Sequence, residues 1–509
     1  MKTLFSNARF VTMTAEGHEV EAVIVEDGKI IETGRFNDLK ELADEQVSLE
    51  GKVVYPGFID SHMHLIGHGQ KISSVDLSGF TSIREILEVI HQAEPVSGWI
   101  VLEGWNDNQL MEGRAITRQD IDTVCSDYPV VLKRICRHVV AVNSKALELA
   151  GIGEDTHDVS GGVIGRTDHG ELNGLFYDEA QALIIEHIPE LSQDDLVDII
   201  HTSIKDLHRM GLTGAHSEDM AYYGPYTNPL GAYRKAIDSN FRVHLLRHHH
   251  VFKDMVHESG GAFISLGNMK IFMDGSLGGH TAWLSKPYTD EPSLSGVAVH
   301  TEEQLIALTK VARTYQTGIA VHVIGDQATK VVLDVIEKHP PQNGVIDRLI
   351  HVNVLSKELI DRMKELSIMA DIQPMFVPSD FPWVTDRLGK DRLTYSYAWK
   401  TLLEEGIVLA GGSDAPIENA DPLLGMNAAM NNPYVPDQEL TAFETISLYT
   451  TGAAAIAKED HLYGKIASGF CADFTVVSDE ITKESISHCQ IEATIVNGNV
   501  VYQKEEGHV

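Results

Sequence analysis

Apolar and polar positions alternate in the way typical of β-hairpins near both ends of the chain. Apolar runs flank the turn residues Asp27-Gly28 near the start and Asn497-Gly498 near the end. Asp-Gly and Asn-Gly between apolar runs are strong hairpin signals. Because a small isolated hairpin is only marginally stable, we expect both ends to join into one β-sandwich, with residues 1–54 and 465–509 as its two halves.

Between these ends, strand-like apolar runs alternate with helical segments. This alternation predicts a parallel sheet or barrel, and eight strands are what a (β/α)8 barrel needs. The candidate strands are residues 53–65, 211–218, 242–248, 269–274, 318–324, 348–354, 368–375 and 406–413. The predicted fold class is therefore α/β, a TIM barrel over residues 55–464 with the composite sandwich attached.

Residues 71–189 do not follow the alternation. They contain strand-like runs, but they lie between the first and second candidate barrel strands. We interpret them as an insertion that covers the barrel mouth. The alternative is that they supply a regular βα unit. After them, residues 194–210 carry apolar side chains at helical spacing, and Gly211 is a suitable stop for that helix.

Charge and cysteine content narrow the function classes. The formal net charge of −34 repels nucleic acid and anionic membrane surfaces. Four scattered Cys without CxxC spacing are typical of reduced thiols, and no apolar stretch is long enough for a transmembrane helix. We therefore expect a soluble cytoplasmic protein that acts on a small molecule and binds neither nucleic acid nor membrane. Oligomeric state is left open, with a homodimer as one option.

Two histidines stand one residue apart at the end of the first candidate barrel strand, His62 and His64. Side chains at i and i+2 of a strand point to the same face, so both rings can reach inward. Two neutral imidazoles on one face are the start of a zinc or iron site. An HxH pair often occurs by chance, but this one follows a Pro-Gly pair and an apolar strand.

Three further metal-ligating residue types lie late in other candidate strands: His322, His351 and Asp414. Each alone is compatible with a hydrogen-bonded core histidine or a turn-capping carboxylate. Together with His62 and His64 they predict a metal centre, because the carboxyl ends of barrel strands meet at one mouth. We expect one or two divalent ions, with zinc first, while iron, manganese and nickel stay open.

The order of these residues is that of the amidohydrolase superfamily. The chain closely resembles one branch, the N-substituted formamide deformylase-like enzymes, almost from end to end. The matching stretches are residues 56–65, 270–278, 321–328, 351 and 412–416, with 137–147 and 174–176 in the insertion. The resemblance implies a metal-dependent hydrolase on a TIM barrel and is less specific for the substrate.

The same resemblance implies a role for Lys270 in the fourth candidate strand. Many binuclear members carry a carboxylated lysine there, which bridges two metal ions. A buried lysine paired with a carboxylate is the alternative reading. Glu218 and Asp274 are rival acidic groups near strand ends.

Asp414 is the expected general base. In the family the equivalent carboxylate ligates metal, accepts the proton of the attacking water and passes it to the leaving nitrogen. A divalent ion lowers the pKa of a bound water to about 7. The implied reaction is hydrolysis of a C–N bond in a small amide or formamide, other than a peptide bond.

Two alternatives stay open. The first is a cyclic-amide hydrolase or a deaminase on the same scaffold. Family deaminases carry Glu three residues after the strand-five histidine, and Gly325 stands there after His322, which argues against a purine or cytosine deaminase. The second is a non-catalytic relative, since the branch includes exoenzyme regulators; the five retained ligand positions argue against it.

Candidate substrate contacts come from two regions. Trp105, Arg134 and His138 lie in the insertion, and Trp283 follows a Gly-rich loop after the fourth strand. For each of these residues a purely structural role is the alternative.

Overall fold

A computed structural model describes residues 1–136, 138–381 and 383–505. These residues form two compact units. One comprises Met1–His68 and the chain from Ser203 onward, and the other is Gly69–Thr202.

Seven strands precede the barrel and an eighth begins it: β1 Thr3–Ser6, β2 Arg9–Val11, β3 Glu19–Val20, β4 Ala22–Glu26, β5 Lys29–Gly34, β6 Glu45–Ser48, β7 Val53–Pro56 and β8 Phe58–Met63. The predicted hairpin is confirmed, since β4 and β5 pair antiparallel. Asp27 and Gly28 have φ angles of +49° and +72°, as a type I′ turn requires.

The single predicted strand over residues 53–65 is wrong in one respect, because the chain there forms two strands in two sheets. β7 pairs with strands of the terminal segments, and β8 pairs with barrel strands. Gly57 separates them, and a Cβ at this glycine would lie 2.3 Å from the side chain of Thr213. The close approach of the two segments therefore requires a residue without a side chain.

The unit Gly69–Thr202 has a sheet of its own, made of β9 Ile100–Trp105, β10 Val130–Arg134, β11 Val139–Val142, β12 Gly162–Arg166 and β13 Leu172–Asp178. Their order is β12-β13-β11-β10-β9. Adjacent residues of β10 pack into different apolar clusters, Leu132 into one and Val131 into the other, so both faces of the sheet are covered. Among the described residues, none of these strands joins the barrel sheet.

The barrel continues with β14 Leu212–Ser217, β15 Arg242–His248, β16 Ile264–Phe272, β17 Ile319–Val323, β18 Arg348–His351, β19 Met369–Ile372 and β20 Leu409–Gly411. With β8 they form an eight-stranded parallel sheet in the order β20-β19-β18-β17-β16-β15-β14-β8. The eight candidate strands and the TIM barrel are confirmed.

Backbone hydrogen bonds join the first and last barrel strands just beyond their carboxyl ends. The N–H of Asp414 donates to the carbonyl of His62, and the N–H of His64 donates to the carbonyl of Ala415, both at 2.7 Å. These bonds close the barrel and place Asp414 beside the HxH pair.

Three strands follow the barrel: β21 Phe474–Val477, β22 Ile491–Val496 and β23 Asn499–Gln503. β21 pairs antiparallel with β7, giving a sheet in the order β23-β22-β21-β7-β2-β3. One apolar cluster combines Phe5 and Val25 from the start of the chain with Phe474 and Ile495 from its end. Both ends thus contribute strands to one sheet and side chains to one core; the division into domains at residues 54 and 465 stays a prediction.

Seventeen α-helices lie among the described residues: α1 Phe36–Leu39, α2 Leu65–Ser73, α3 Ile83–Gln92, α4 Arg118–Asp122, α5 Ser144–Leu149, α6 Ala182–Ile185, α7 Gln193–Arg209, α8 Thr227–Ala236, α9 Glu302–Thr314, α10 Asp326–Lys338, α11 Lys357–Glu365, α12 Phe376–Asp380, α13 Trp383–Leu388, α14 Trp399–Glu404, α15 Pro422–Met430, α16 Ala442–Leu448 and α17 Thr451–Ile456. α7 confirms the predicted helix, and Gly211 follows it with a φ angle of +83°.

Within the described chain, no helix combines the length and apolar character needed to cross a bilayer.

Candidate metal centre

His62 and His64 meet Asp414 at the carboxyl end of β8. The Nε2 atom of His62 lies 3.4 Å from Oδ1 of Asp414, and the Nε2 atom of His64 lies 3.7 Å from the same oxygen. His62 and Asp414 are buried, and His64 is partly exposed. Burial raises the pKa of Asp414 above its ordinary value, while His64 and Lys270 oppose that rise.

The rings of His322 and His351 extend this group. Their centroids are 4.4 Å apart, and the centroid of His351 lies 5.6 Å from that of His62. One ligand atom from each of His62, His351 and Asp414 falls within 4.8 Å of the others. The structure thus brings together all five residues that the sequence singled out as metal ligands; that they bind metal stays a prediction.

The orientation of the rings suits a divalent ion. Nδ1 of His64 donates to the carbonyl of Glu218 at 2.6 Å, and Nδ1 of His351 donates to Oε1 of Gln373 at 2.7 Å. An oxygen acceptor at Nδ1 fixes the proton there and leaves Nε2 as a ligand atom. Nδ1 of His62 is buried with no hydrogen-bond partner in the described structure.

The buried imidazoles of His62, His322 and His351 are also held neutral, as metal ligation requires. Burial lowers the pKa of His322 to about 3. Burial and the nearby Lys270 lower the pKa of His62 well below its ordinary value. The donor set therefore fits a borderline ion such as zinc, for which imidazole and carboxylate are suitable ligands.

Lys270 lies at this centre, on β16. It is 0% exposed, and its Nζ lies 3.4 Å from Nε2 of His62 and 4.4 Å from the ring centroid of Phe272. Burial lowers the pKa of Lys270, and Glu218 and Asp414 act against that change. A buried amine at this place is the arrangement that the expected bridging lysine needs.

The two rival carboxylates differ in their contacts. Asp274 accepts backbone N–H bonds from Trp283, Ile324 and Gly325 at 2.8–3.0 Å, so both its oxygens are occupied by the loops after β16 and β17. Glu218 accepts the hydroxyl of Tyr222 at 2.6 Å, while its Oε1 is buried without a hydrogen-bond partner in the described structure. Of the two, Glu218 has the oxygen that is free for a ligand.

The loop after β16 gives Trp283 and Asp326 structural contacts. The backbone of Trp283 binds Asp274 and, through its carbonyl, the N–H groups of Gln327 and Ala328. Its side chain is partly buried. Asp326 accepts hydrogen bonds from the N–H and hydroxyl of Ser285, so it anchors this loop. Substrate contact by Trp283 stays a prediction.

The three candidates from the insertion have contacts within their own unit. Trp105 is 1% exposed and its Nε1 donates to the carbonyl of Leu132 at 3.0 Å, so the structural alternative describes it better. Arg134 pairs with Asp107 at 2.6 Å, and the exposed His138 pairs with Asp178 at 3.1 Å. Substrate contact by these residues stays a prediction, as does covering of the barrel mouth.

Two residues that contact the centre were missed in the sequence. Gln373 orients His351, and the ring centroid of Tyr222 lies 5.9 Å from that of His64. Neither has a sequence signal that distinguishes it from other polar or aromatic residues near strand ends. Only the fold brings them to the site.

The backbone is strained where the ligand residues leave their strands. His351, Val352 and Asp414 have φ angles of +80°, +46° and +58°. This conformation is an outlier for a β-branched residue such as Val352 and costs on the order of 1–3 kcal/mol per residue. The bond from the Val352 N–H to the carbonyl of Val323, at 2.9 Å, helps to hold it. Such strain is often found at functional sites.

The barrel and the imidazole–carboxylate group at its carboxyl end are the arrangement of TIM-barrel enzymes, whose active sites lie at this face. The model of the amidohydrolase family matches residues 45–502. The chain belongs to the amidohydrolase family.

Relatives extend over nearly the whole chain. It is 47% identical to the Bacillus subtilis (strain 168) protein named "Putative amidohydrolase YtcJ", over 99% of this chain and 100% of that protein. It is 25% identical to the N-substituted formamide deformylase of Arthrobacter pascens, over 98% of each chain. The solved structure of an uncharacterized metal-dependent hydrolase from Pyrococcus furiosus is similar with a TM-score of 0.79 and 26% identity, covering 94% of this chain and 99% of that one.

Proposed function

We propose that this protein is a metal-dependent hydrolase of a carbon–nitrogen bond in a small amide or formamide, other than a peptide bond. The observation that carries the proposal is the convergence of His62, His64, His322, His351 and Asp414 around the buried Lys270. Four imidazoles and one carboxylate form a donor set for which a purely structural explanation is weak, because grouping polar side chains in a buried place without a ligand costs free energy.

The five residues would hold the ion, and zinc is the metal we propose first. When bound, a divalent ion supplies a Lewis acid that polarises a carbonyl and makes water a better nucleophile at neutral pH. The orientation of this set comes from the chain itself, since Glu218 and Gln373 fix the rings of His64 and His351. Such outer contacts tune affinity for the ion.

Asp414 is the proposed general base. Its carboxylate lies at the mouth, 3.4 Å from Nε2 of His62 in β8 and 3.7 Å from Nε2 of His64 just after β8. Its backbone is fixed by the bond to the carbonyl of His62. From there Oδ1 can accept the proton of the attacking water and return it to the departing nitrogen, which leaves as an amine.

Lys270 is the proposed bridging ligand, as a carboxylated lysine. Carbon dioxide reacts with the neutral amine, and burial favours that form by lowering the pKa of Lys270. The imidazole of His62 lies beside this amine, with its Nε2 3.4 Å from Nζ, so a carboxylated Lys270 would hold an ion together with the histidines. A carboxylated Lys270 would therefore support a centre with two metal ions. If Lys270 is unmodified, the other five residues would hold a single ion.

The deaminase alternative is disfavoured by the space around Gly325. Besides lacking the glutamate, this position has no room for any side chain, because a Cβ would lie 2.0 Å from the carbonyl oxygen of Trp283. A proton-donating glutamate therefore has no place three residues after His322. The non-catalytic alternative is disfavoured because all five ligand positions converge.

A screen of small N-formyl and N-acyl compounds tests the proposal. The protein is loaded with zinc or manganese, and release of the free amine is measured, with cyclic amides and aminated bases as further substrate sets. We expect turnover of at least one formamide or amide that is abolished by a chelator and restored by metal. Release of ammonia from bases alone would favour the deaminase, and no turnover by a metal-replete protein would favour the regulator. The substrate, the cytoplasmic location and a homodimeric state stay predictions.

A further inference from the structure

Three consecutive histidines follow each other at the carboxyl end of β15. The ring centroids of His248 and His249 are 4.4 Å apart, those of His248 and His250 4.7 Å, and those of His249 and His250 4.1 Å. One ring nitrogen from each falls within 4.8 Å of the other two. The three rings therefore face one another in the folded chain instead of pointing apart.

A fourth histidine joins them from a distant segment. The centroid of the His300 ring lies 4.9 Å from that of His249. Nδ1 of His249 and Nε2 of His300 are both buried and have no hydrogen-bond partner in the described structure. A buried polar atom without a partner is costly and calls for a ligand or an ordered water.

We propose that His248, His249, His250 and His300 form a second metal site, separate from the centre at His62. The ligand class is a borderline divalent ion, Zn²⁺, Ni²⁺ or Cu²⁺, for which imidazole is the preferred protein ligand. The three consecutive histidines at the end of β15 can be seen in the sequence. The proximity of His300 to them is seen only in the folded structure.

The burial of the rings suits such a site. Burial lowers the pKa of His249 to about 4 and also lowers that of His300, so both rings offer lone pairs at neutral pH. His250 is exposed, which gives an ion access from solvent. Positively charged rings at this spacing would repel one another and a cation. Neutral rings can instead donate their nitrogen lone pairs to a divalent ion.

His248 is the weakest of the four ligands. Its Nδ1 already accepts the backbone N–H of His250 at 3.2 Å, which places its proton on Nε2. It can bind an ion only by exchanging that long hydrogen bond for the metal. We therefore expect a graded pattern, with substitution of His249 or His300 more damaging to binding than substitution of His248.

The cluster is a neighbour of the first centre and shares no ligand with it. The His62–His351–Asp414 group and the three-histidine group have no residue in common. Contacts join the two groups: the N–H of His249 donates to the carbonyl of Lys270 at 2.9 Å, and the ring centroid of Tyr222 lies 5.8 Å from that of His248 and 5.9 Å from that of His64. An ion at the second site can therefore be measured after the first site has been disabled.

The test uses the full-length chain carrying His62→Ala and His64→Ala. Binding of Zn²⁺ and Co²⁺ is measured by calorimetry and by the visible absorption of cobalt. We expect one ion per chain to remain. Adding His249→Ala and His300→Ala should weaken that binding by about 100-fold or more, since even outer-shell changes cost up to that much. Adding His257→Ala instead, an exposed histidine close by in the chain, should leave it unchanged.

A second readout needs no substitution in the cluster. Histidine acylation of the wild-type protein is mapped by peptide mass spectrometry with zinc added beyond saturation of the first site. Zinc should protect His249 and His250 while His257 stays reactive. If the His62/His64 variant binds no ion, or binds it equally without His249 and His300, the proposal is overturned; equal acylation with and without zinc would also overturn it.

Discussion

Nζ of Lys270 lies 3.4 Å from Nε2 of His62, with both side chains buried. Two protonated groups at this distance away from water would repel strongly, and burial lowers the pKa of both. The pair therefore favours a free amine next to a free imidazole lone pair. These are the forms that carbamate formation and metal ligation require.

Replacing Lys270 with Met, a neutral side chain of similar length, should leave the five other ligands and remove the bridge. We expect the zinc content of the first centre to fall from two ions per chain toward one, while any ion at the cluster of His248, His249, His250 and His300 is retained in both proteins. Growth with ¹³C-bicarbonate should give a carbamate carbon signal in the wild type that is absent from Lys270→Met. If both proteins hold the same amount of metal and the wild type gives no carbamate signal, the hypothesis of two ions bridged by a carboxylated Lys270 is wrong.

His62→Ala should lower the affinity for metal itself, because it removes one of three proposed ligands whose ligand atoms lie within 4.8 Å of one another. We expect a loss of about 100-fold or more in zinc affinity at the first centre, measured by competition with a chromophoric chelator. The exposed His257→Ala serves as the control. An unchanged affinity in the His62 variant would exclude this residue from the metal centre.

Asp414→Asn should separate metal binding from turnover. The amide keeps an oxygen that can ligate but cannot accept the proton of water, so the metal content should stay within about twofold while kcat falls by about 100-fold or more. Steady-state kinetics on any substrate from the screen, with metal analysis of the same sample, measures both. Near-normal kcat in this variant would contradict the assignment of Asp414 as the base.

His208 gives a prediction for stability that is independent of the metal centre. Its Nε2 donates to the carbonyl of Asn240 at 2.9 Å, and burial lowers its pKa from 6.5 to about 4. The folded state thus favours the neutral ring. The contribution of His208 to the free energy of unfolding is fully present above pH 6.5. It decreases by up to about 3 kcal/mol as the pH falls toward 4, because the unfolded chain then binds a proton that the folded chain does not.

Urea unfolding of the metal-free protein across that pH range measures this effect. His208→Gln should reduce the loss of unfolding free energy between pH 6.5 and 4, because the amide keeps a donor but does not titrate. His257→Gln, an exposed histidine, should follow the wild type. Parallel curves for His208→Gln and the wild type would show that another group dominates the acid sensitivity.

The periodicity of the sequence was enough to predict the order and number of the barrel strands. The eight runs differ from the observed strands mainly at their ends, and the segment through Gly57 is the exception, because two sheets share one continuous apolar run there. Apolar periodicity reports burial, but it does not report which sheet buries a strand. The change of sheet falls at Gly57, where the side chain of Thr213 from β14 leaves no room for a Cβ.

The sequence alone determined which side chains could ligate a metal, since the positions of His62, His64, His322, His351 and Asp414 at strand ends are a local property of the chain. The tertiary structure decided what surrounds them. The contacts of Gln373 with His351, of Lys270 with His62 and of His300 with His249 each join two different segments of the chain. Contacts of this kind depend on how the barrel closes, and closure is a property of the whole sheet that no local pattern encodes.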